Sequence, residues 1–555
     1  MTELRADRTT MAGGALLLAA LTLAARQGGW PAAGLLLLAL VAAYAAARRA
    51  AAPEDARFLV FVVVFSLLAR DVAAGALDVV LTARSPYGPL FYDDNAYVAV
   101  AMQMAAFWRG EPIGFPTDPS ITNSYVAGMG ALFTLVGLNV VSVRLINGLF
   151  ITLAAILTYR TMLNLGLAGR RWGLLGILFF PSLTLWSLLA LKDTYVVTSM
   201  VVAVWGASEL ARTKGYLWLL PTALALVALD GARKYAFLLL AISWPVALVL
   251  TVPPPRRWVA SALAAAVAAG MIIGSNVLGS YGIDAFARLG TLRAAMAKDA
   301  RSALVEPLPV VKADPGDRFV IAAAGRTPDP VRLPQTFVVP AGARVVLADP
   351  DSPPLTTAPG AAPTPAPSGF AQSGAPVVVQ VGDMVVIGGT CVACAVKTGE
   401  PQPLFLTPGA HNVFQVAAPP STADGSVQQG LVDSLRYLPT GLLSFLTAPF
   451  PLTARSMGEL AATPEMLAWY AVLALACIGL YRFARERNLR YAYGILALGG
   501  MALVLSLAEG NAGTLVRHRA MAIIFVVVLA AVGLQDLLVR YRGRRTAAAA
   551  VRRAA

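Results

Sequence analysis

Four short clusters of ionisable residues sit at the ends of long apolar runs, where charge is costly and is kept for a reason. In PYGPLFYDDNAY, Tyr92-Asp93-Asp94-Asn95 sets two carboxylates side by side. Adjacent carboxylates repel, so one holds a proton more tightly or both share a divalent cation such as Mg or Mn. Either state suits a general base acting on an acceptor hydroxyl, with Tyr92 and Asn95 as supporting groups. The same aspartates would also cap a helix running through AYVAVAMQMAAF. Lys192-Asp193, in SLTLWSLLALKDTYVV, is either a neutral pair at a helix break or a site for an acceptor or a phosphate. Asp230, Arg233 and Lys234, in LVALDGARKYAFLLL, form a solvated turn or offer cations to an anionic headgroup. In EGNAGTLVRHRAMAII, Arg517, His518 and Arg519 follow Glu509 and Asn511. Two arginines at a membrane edge suit bidentate phosphate binding.

The elements that carry these clusters follow from composition. Of 555 residues, 57% are hydrophobic and 13% charged, against roughly a quarter charged in soluble domains. Apolar runs recur that are long enough to cross about 30 Å of hydrocarbon as helices. They lack the alternation of barrel strands. The expected fold is therefore a polytopic α-helical membrane protein. Its spans are predicted near 11–26, 31–47, 58–80, 143–166, 172–191, 194–211, 216–231, 234–252, 257–277, 463–483, 490–508 and 519–538. The net charge of +14 is spread as short Arg/Lys clusters between runs, which argues against nucleic acid and for the positive-inside rule. Arg48 and Arg49, Arg170 and Arg171, Arg256 and Arg257, Arg482 to Arg490 and the tail from Arg540 mark the cytoplasmic side, with both termini there. That parity requires Val126–Val141 to be a juxtamembrane or re-entrant helix. The first run, short and preceded by basic residues, also has the form of a signal peptide.

Four parts follow: an N-terminal helical hairpin over 1–57, a membrane core over 58–277 with an extracytoplasmic loop at 81–142, an extracytoplasmic insert over 278–462, and C-terminal helices with a basic tail over 463–555. The insert holds β-like runs such as RFVIAAAG and PVVVQVGDMVVIGG, so a small β-rich domain is expected, interrupted by a Pro/Ala-rich linker at 351–376. Cys391 and Cys394 suit a local disulfide better than a zinc site, and His411 stands alone in a loop. The chain carries no P-loop, Rossmann glycine pattern or His cluster.

The order of these features resembles the C-type (GT-C fold) membrane glycosyltransferases, and within them the bacterial O-mannosyltransferase-like branch. The likeness rests on Asp93 and Asp94 in a first outer loop, Val143-Arg144-Leu145-Ile146 at the start of the next span, and Pro181 ahead of Asp193. It rests also on SLTLWSLLALKD, RYLPTGLLSFLTAPFP and GNAGTLVRHR. A lysine directly before Asp193 departs from the commoner pattern. Added to the roughly twelve spans read above, the resemblance implies a bacterial plasma-membrane protein and an inverting transfer of sugar from a polyprenyl-phosphate donor to a glycan, lipid or protein acceptor. Asp93 or Asp94 would be the base. Arg517, His518, Arg519, Arg233 and Lys234 would hold the donor phosphate. Two other functions share parts of the pattern: a polysaccharide polymerase or O-antigen ligase, and a lipid-linked glycan transporter or flippase. Against the last, most of the charges sit at span ends rather than mid-membrane.

Overall fold

A computed structural model describes residues 2–82, 90, 92–111, 115–116, 122–213, 215–275, 431–450, 457–508 and 512–554, together with seven strand segments between 318 and 408. The helices are α1 (Thr2–Ala50), α2 (Ala56–Thr82), α3 (Tyr92–Trp108), α4 (Ser124–Val136), α5 (Val140–Asn164), α6 (Arg170–Phe179), α7 (Pro181–Ser187), α8 (Asp193–Thr213), α9 (Leu219–Asp230), α10 (Lys234–Thr251), α11 (Arg256–Gly274), α12 (Leu431–Thr447), α13 (Met457–Arg485), α14 (Ala492–Ala508) and α15 (Ala512–Ala554). They belong to two compact units. One comprises Met1–Asp78, Asn123–Ser302 and Val427–Ala555, the other Val79–Thr122 and Ala303–Ser426.

The first unit is a helical bundle. Among the described residues, eight helices are long and apolar enough to cross a membrane. The protein is thus a multi-pass α-helical membrane protein. Bulky apolar side chains such as Leu38, Leu217, Ile273 and Leu443 lie exposed on its surface, as lipid-facing residues do. Exposed Trp172, Trp258, Tyr481 and Tyr541 each adjoin an arginine, the arrangement of an aromatic belt at the headgroups.

Two breaks fall among the runs predicted as spans. The first two runs lie within one element, α1, but Gly29 breaks it at φ 68° and ψ −171°. Only glycine holds that conformation without strain. Ala20 and Ala24 before the break, and Ala32 and Leu36 after it, share a core cluster with Leu68, Val141 and Leu145. The run at 172–191 is not one helix. It breaks at Phe180, because Pro181 has no N–H to continue the ladder and starts α7 instead. α4, with 13 residues, is among the shorter apolar helices and lies where the sequence predicts a juxtamembrane or re-entrant helix, not a span.

One end of the bundle is laced by ion pairs. Asp55 accepts hydrogen bonds from Tyr159 Oη (2.7 Å), Arg170 Nε (2.6 Å) and Arg171 Nε (2.6 Å). Glu209 joins Arg160 and Arg212 at 3.0 and 2.7 Å. Most of the basic clusters named above lie here. The candidate site lies at the other helix ends.

In the second unit, α3 is a 17-residue helix. The strands β1 (Arg318–Ala323), β2 (Gln335–Val338), β3 (Ala343–Leu347), β4 (Val377–Val379), β5 (Asp383–Ile387), β6 (Thr390–Ala393) and β7 (Gln402–Pro408) pair antiparallel, in the orders β2-β1-β5-β6 and β3-β7-β4. The linker 351–376, His411 and Cys394 lie outside the described residues.

Candidate functional site

Asp193 opens α8 and is 1% exposed. A carboxylate in the first turn suits the positive end of the helix dipole. Its partners come from two distant parts of the chain. Oδ1 accepts from Arg233 Nη2 at 3.0 Å. Oδ2 accepts from Arg517 Nε at 2.8 Å, with Arg517 Nη2 also 2.8 Å away. Arg233 stands just before α10, and Arg517 lies in the second turn of α15. Two guanidinium groups are thus drawn onto one carboxylate at the ends of three helices.

Arg233 also donates through Nη1 to Tyr235 Oη at 2.8 Å, and His518 Nε2 lies 2.5 Å from the same nitrogen. A guanidinium only donates, so Nε2 accepts and the imidazole proton sits on Nδ1. Tyr235 packs against both neighbours, its ring 5.8 Å from the Arg233 carbon and 6.4 Å from the His518 ring. Lys192 is within electrostatic reach of Asp193 and of His518. Lys192, Arg233 and Arg517 bring three positive charges to the one negative charge of Asp193, a local excess of two. Such a cluster suits a multiply charged anion, because guanidinium forks match phosphate oxygens in pairs.

The other residues singled out from sequence are placed differently. Lys234 lies 3.5 Å from Asp230 and donates to Ser275 O at 3.1 Å, bridging the α9–α10 turn to the end of α11. Arg519 turns away from Arg517. Two residues on along a helix the side chain points to nearly the opposite face, and its guanidinium is buried between Phe445 and Trp469, at 5.9 and 5.2 Å. There it donates to the Ala448 carbonyl and reaches Met466 Sδ at 3.0 Å. Its placement therefore joins α12, α13 and α15 rather than the Asp193 group. Glu509 and Asn511 lie outside the described residues. Tyr92, Asp93, Asp94 and Asn95 form the first turn of α3, in the second unit. Asp94 is buried, and its Oδ2 accepts from Leu90 N at 3.2 Å, a bond that ties the chain ahead of the helix to its first turn. Asp93 is half-buried. Among the described residues no three of His, Cys, Asp or Glu come together as a metal-binding group; Asp93 and Asp94 supply two carboxylates.

Sequence reasoning missed a polar seam inside the bundle. Arg70 and Asp71 lie near the middle of α2 and are buried. Arg70 donates to Ser66 O at 3.1 Å and to the Leu178 carbonyl, which the α6–α7 break leaves without its helical partner. Among the described residues, neither carboxylate oxygen of Asp71 accepts a hydrogen bond. Asp78 pairs with Arg144, both buried. The Asn147 amide nitrogen, with two hydrogens to share, lies 2.6 Å from Leu189 O, 3.1 Å from Leu191 O and 2.9 Å from Tyr125 Oη. The signal for the seam was present: a charged Arg-Asp pair within an apolar run is rare in a span and points inward.

Compared with models of known protein families and with the sequences of characterised proteins, the chain matches none.

Proposed function

We propose that the chain is a membrane glycosyltransferase that takes a sugar from a polyprenyl-phosphate donor and passes it to an acceptor hydroxyl at the extracytoplasmic face, with inversion at the anomeric carbon. The observation that carries this reading is the gathering of Lys192, Arg233 and Arg517 around Asp193 at the ends of membrane helices. A donor held in the bilayer by its prenyl chain presents its phosphate at that depth. Breaking the glycosyl–phosphate bond leaves charge on the phosphate, and fixed guanidinium groups stabilise it. The base is proposed as Asp93 or Asp94, the two carboxylates in the first turn of α3. If a divalent cation takes part, these two are the carboxylates that would hold it; no step of this reading runs through a metal.

The finer topology belongs to the same proposal. The eight long helices, with α1 counted twice for its break, and α6–α7, α9 and α14 as short crossings, give twelve spans. An even number places both termini on one side, and the arginine-rich ends make that side the cytoplasm of a bacterial cell. The Asp193 group then faces outward, as does the strand-containing segment, which is proposed to receive acceptor or glycan.

The test is a turnover assay with purified protein and a panel of polyprenyl-phosphate sugars. Transfer in the wild type, lost in Arg517→Gln and in Asp93→Asn or Asp94→Asn, is the expected result. No transfer from any donor, or full activity in all three variants, overturns it. Arg70 and Asp71, near the midpoint of α2, favour a second reading, a lipid-linked glycan transporter, since carriers place charge at mid-membrane. Translocation of a labelled lipid-linked glycan in vesicles without sugar transfer would select that reading.

A further inference from the structure

Lys192 and Asp193 follow a stretch of chain that is not helical. α7 ends at Ser187, and α8 begins only at Asp193, after a turn at 188–190 and the non-helical Leu191 and Lys192. In an unbroken helix the Leu189 carbonyl would take the Asp193 N–H, and the Leu191 carbonyl would take the Tyr195 N–H. The break exposes such carbonyls where no bulk water reaches them, and an unmet carbonyl in that setting is costly. Asn147, fully buried on α5, meets both: its Nδ2 lies 2.6 Å from Leu189 O and 3.1 Å from Leu191 O. Those two oxygens fix which end of the amide faces the break, since the Oδ1 end would repel them. Tyr125 Oη, 2.9 Å from the same nitrogen, holds the amide from the α4 side.

The neighbouring residue secures the other half of the site. Ser124 N donates to Gly231 O at 2.7 Å, and Ser124 Oγ donates to Ala228 O at 3.2 Å. Gly231 lies two residues before Arg233, and a Cβ there would fall 2.7 Å from the Ser124 Cβ. The start of α4 thus anchors the turn that carries Arg233, and through Asn147 it anchors the break that carries Lys192 and Asp193.

We infer that Asn147 is a positioning residue of the anion site: its side-chain amide stands in for the missing helical donors at the α7–α8 break and so sets where the Asp193 carboxylate meets Arg233 and Arg517. It does not touch the anion. It acts through the Leu189 and Leu191 carbonyls. The effect on donor binding rests on the proposed function, whereas the effect on the two arginines does not.

The experiment uses the full chain in phosphatidylcholine nanodiscs and compares Asn147→Ala with Thr152→Val. Thr152 is equally buried on α5, but its hydroxyl bonds the Gly148 carbonyl of its own helix. The first readout is the rate at which phenylglyoxal modifies Arg233 and Arg517, mapped by mass spectrometry. The second is affinity for a long-chain polyprenyl phosphate. Asn147→Ala should speed modification several-fold and weaken the lipid phosphate about tenfold, the scale of one or two lost hydrogen bonds; Thr152→Val should do neither at a comparable loss of thermal stability. Unchanged modification in Asn147→Ala overturns the inference, and so does the same increase in Thr152→Val. Faster modification with unaltered affinity, when Arg517→Gln does weaken binding, also overturns it. Failure of the wild type to bind the lipid phosphate counts against the donor reading alone, and the modification rates still decide the role of Asn147.

Discussion

Asp193 illustrates how one residue can hold a site and compete with its ligand. Its carboxylate satisfies two guanidinium groups in a buried setting. Removing one member of a buried ion group strands the others, typically at about 3–5 kcal/mol. Asp193→Asn should therefore lower the thermal midpoint markedly. If the cluster binds phosphate, added inorganic phosphate should raise the midpoint of the variant more than that of the wild type, and an equal response in both would count against an anion site. Arg517 separates charge from shape. Arg517→Lys keeps the charge but loses the fork, and Arg517→Gln loses both. Donor affinity should fall in that order, to about 10- to 100-fold for Gln, the range expected of one charged hydrogen bond. Sequence located Asp193, Arg233, Arg517 and His518 as ionisable residues that apolar neighbours could not explain. It did not pair them, because partners up to 324 positions apart are joined only by packing.

At the scale of elements, breaks matter as much as helices. Gly29 and Pro181 each interrupt an apolar run, and each break is met by a side chain from another helix. Asn139 donates to Gly28 O at 2.7 Å, and Arg70 reaches the Leu178 carbonyl. Gly29→Ala should destabilise the fold by about 1–3 kcal/mol, since its backbone lies where only glycine is unstrained; unfolding of the purified protein in detergent measures this. For the second break, Arg70→Met with Asp71→Asn avoids leaving a lone charge. That pair should destabilise less when Pro181→Ala removes the ring that breaks the ladder, lets α6 and α7 join and brings the Ser182 N–H to the Leu178 carbonyl. Simple additivity of the changes would show that Arg70 does not serve the break. Proline at 181 was visible in the sequence, and the run around it still read as one span. Hydropathy averages over a break that changes no hydrophobicity.

For the whole molecule, the testable matter is direction. Single cysteines at Arg49 and Arg544, in a background without Cys391, Cys394 and Cys477, should resist a membrane-impermeant maleimide added outside intact cells. A cysteine at Trp30, exposed beside the break in α1, should react. The reverse pattern would place the Asp193 group in the cytoplasm and remove the flipped lipid-linked donor from consideration. Labelling works here because an aqueous reagent reads sidedness directly, while packing within a bundle is the same whichever way it faces.

Sequence alone determined that this chain lives in a membrane, because a shortage of charge and recurrent apolar runs are properties of the residues themselves. It also marked which charges lay out of place at span ends. Only the tertiary structure decided which of those charges meet. Helical phase sends Arg517 to Asp193 and turns Arg519 toward Trp469, although the two are two residues apart. It likewise brought an asparagine with no sequence signal, Asn147, onto the carbonyls ahead of Asp193. Burial is paid residue by residue and can be read along the chain, whereas a site depends on rotation about each helix axis and on breaks that only packing against other helices makes tolerable.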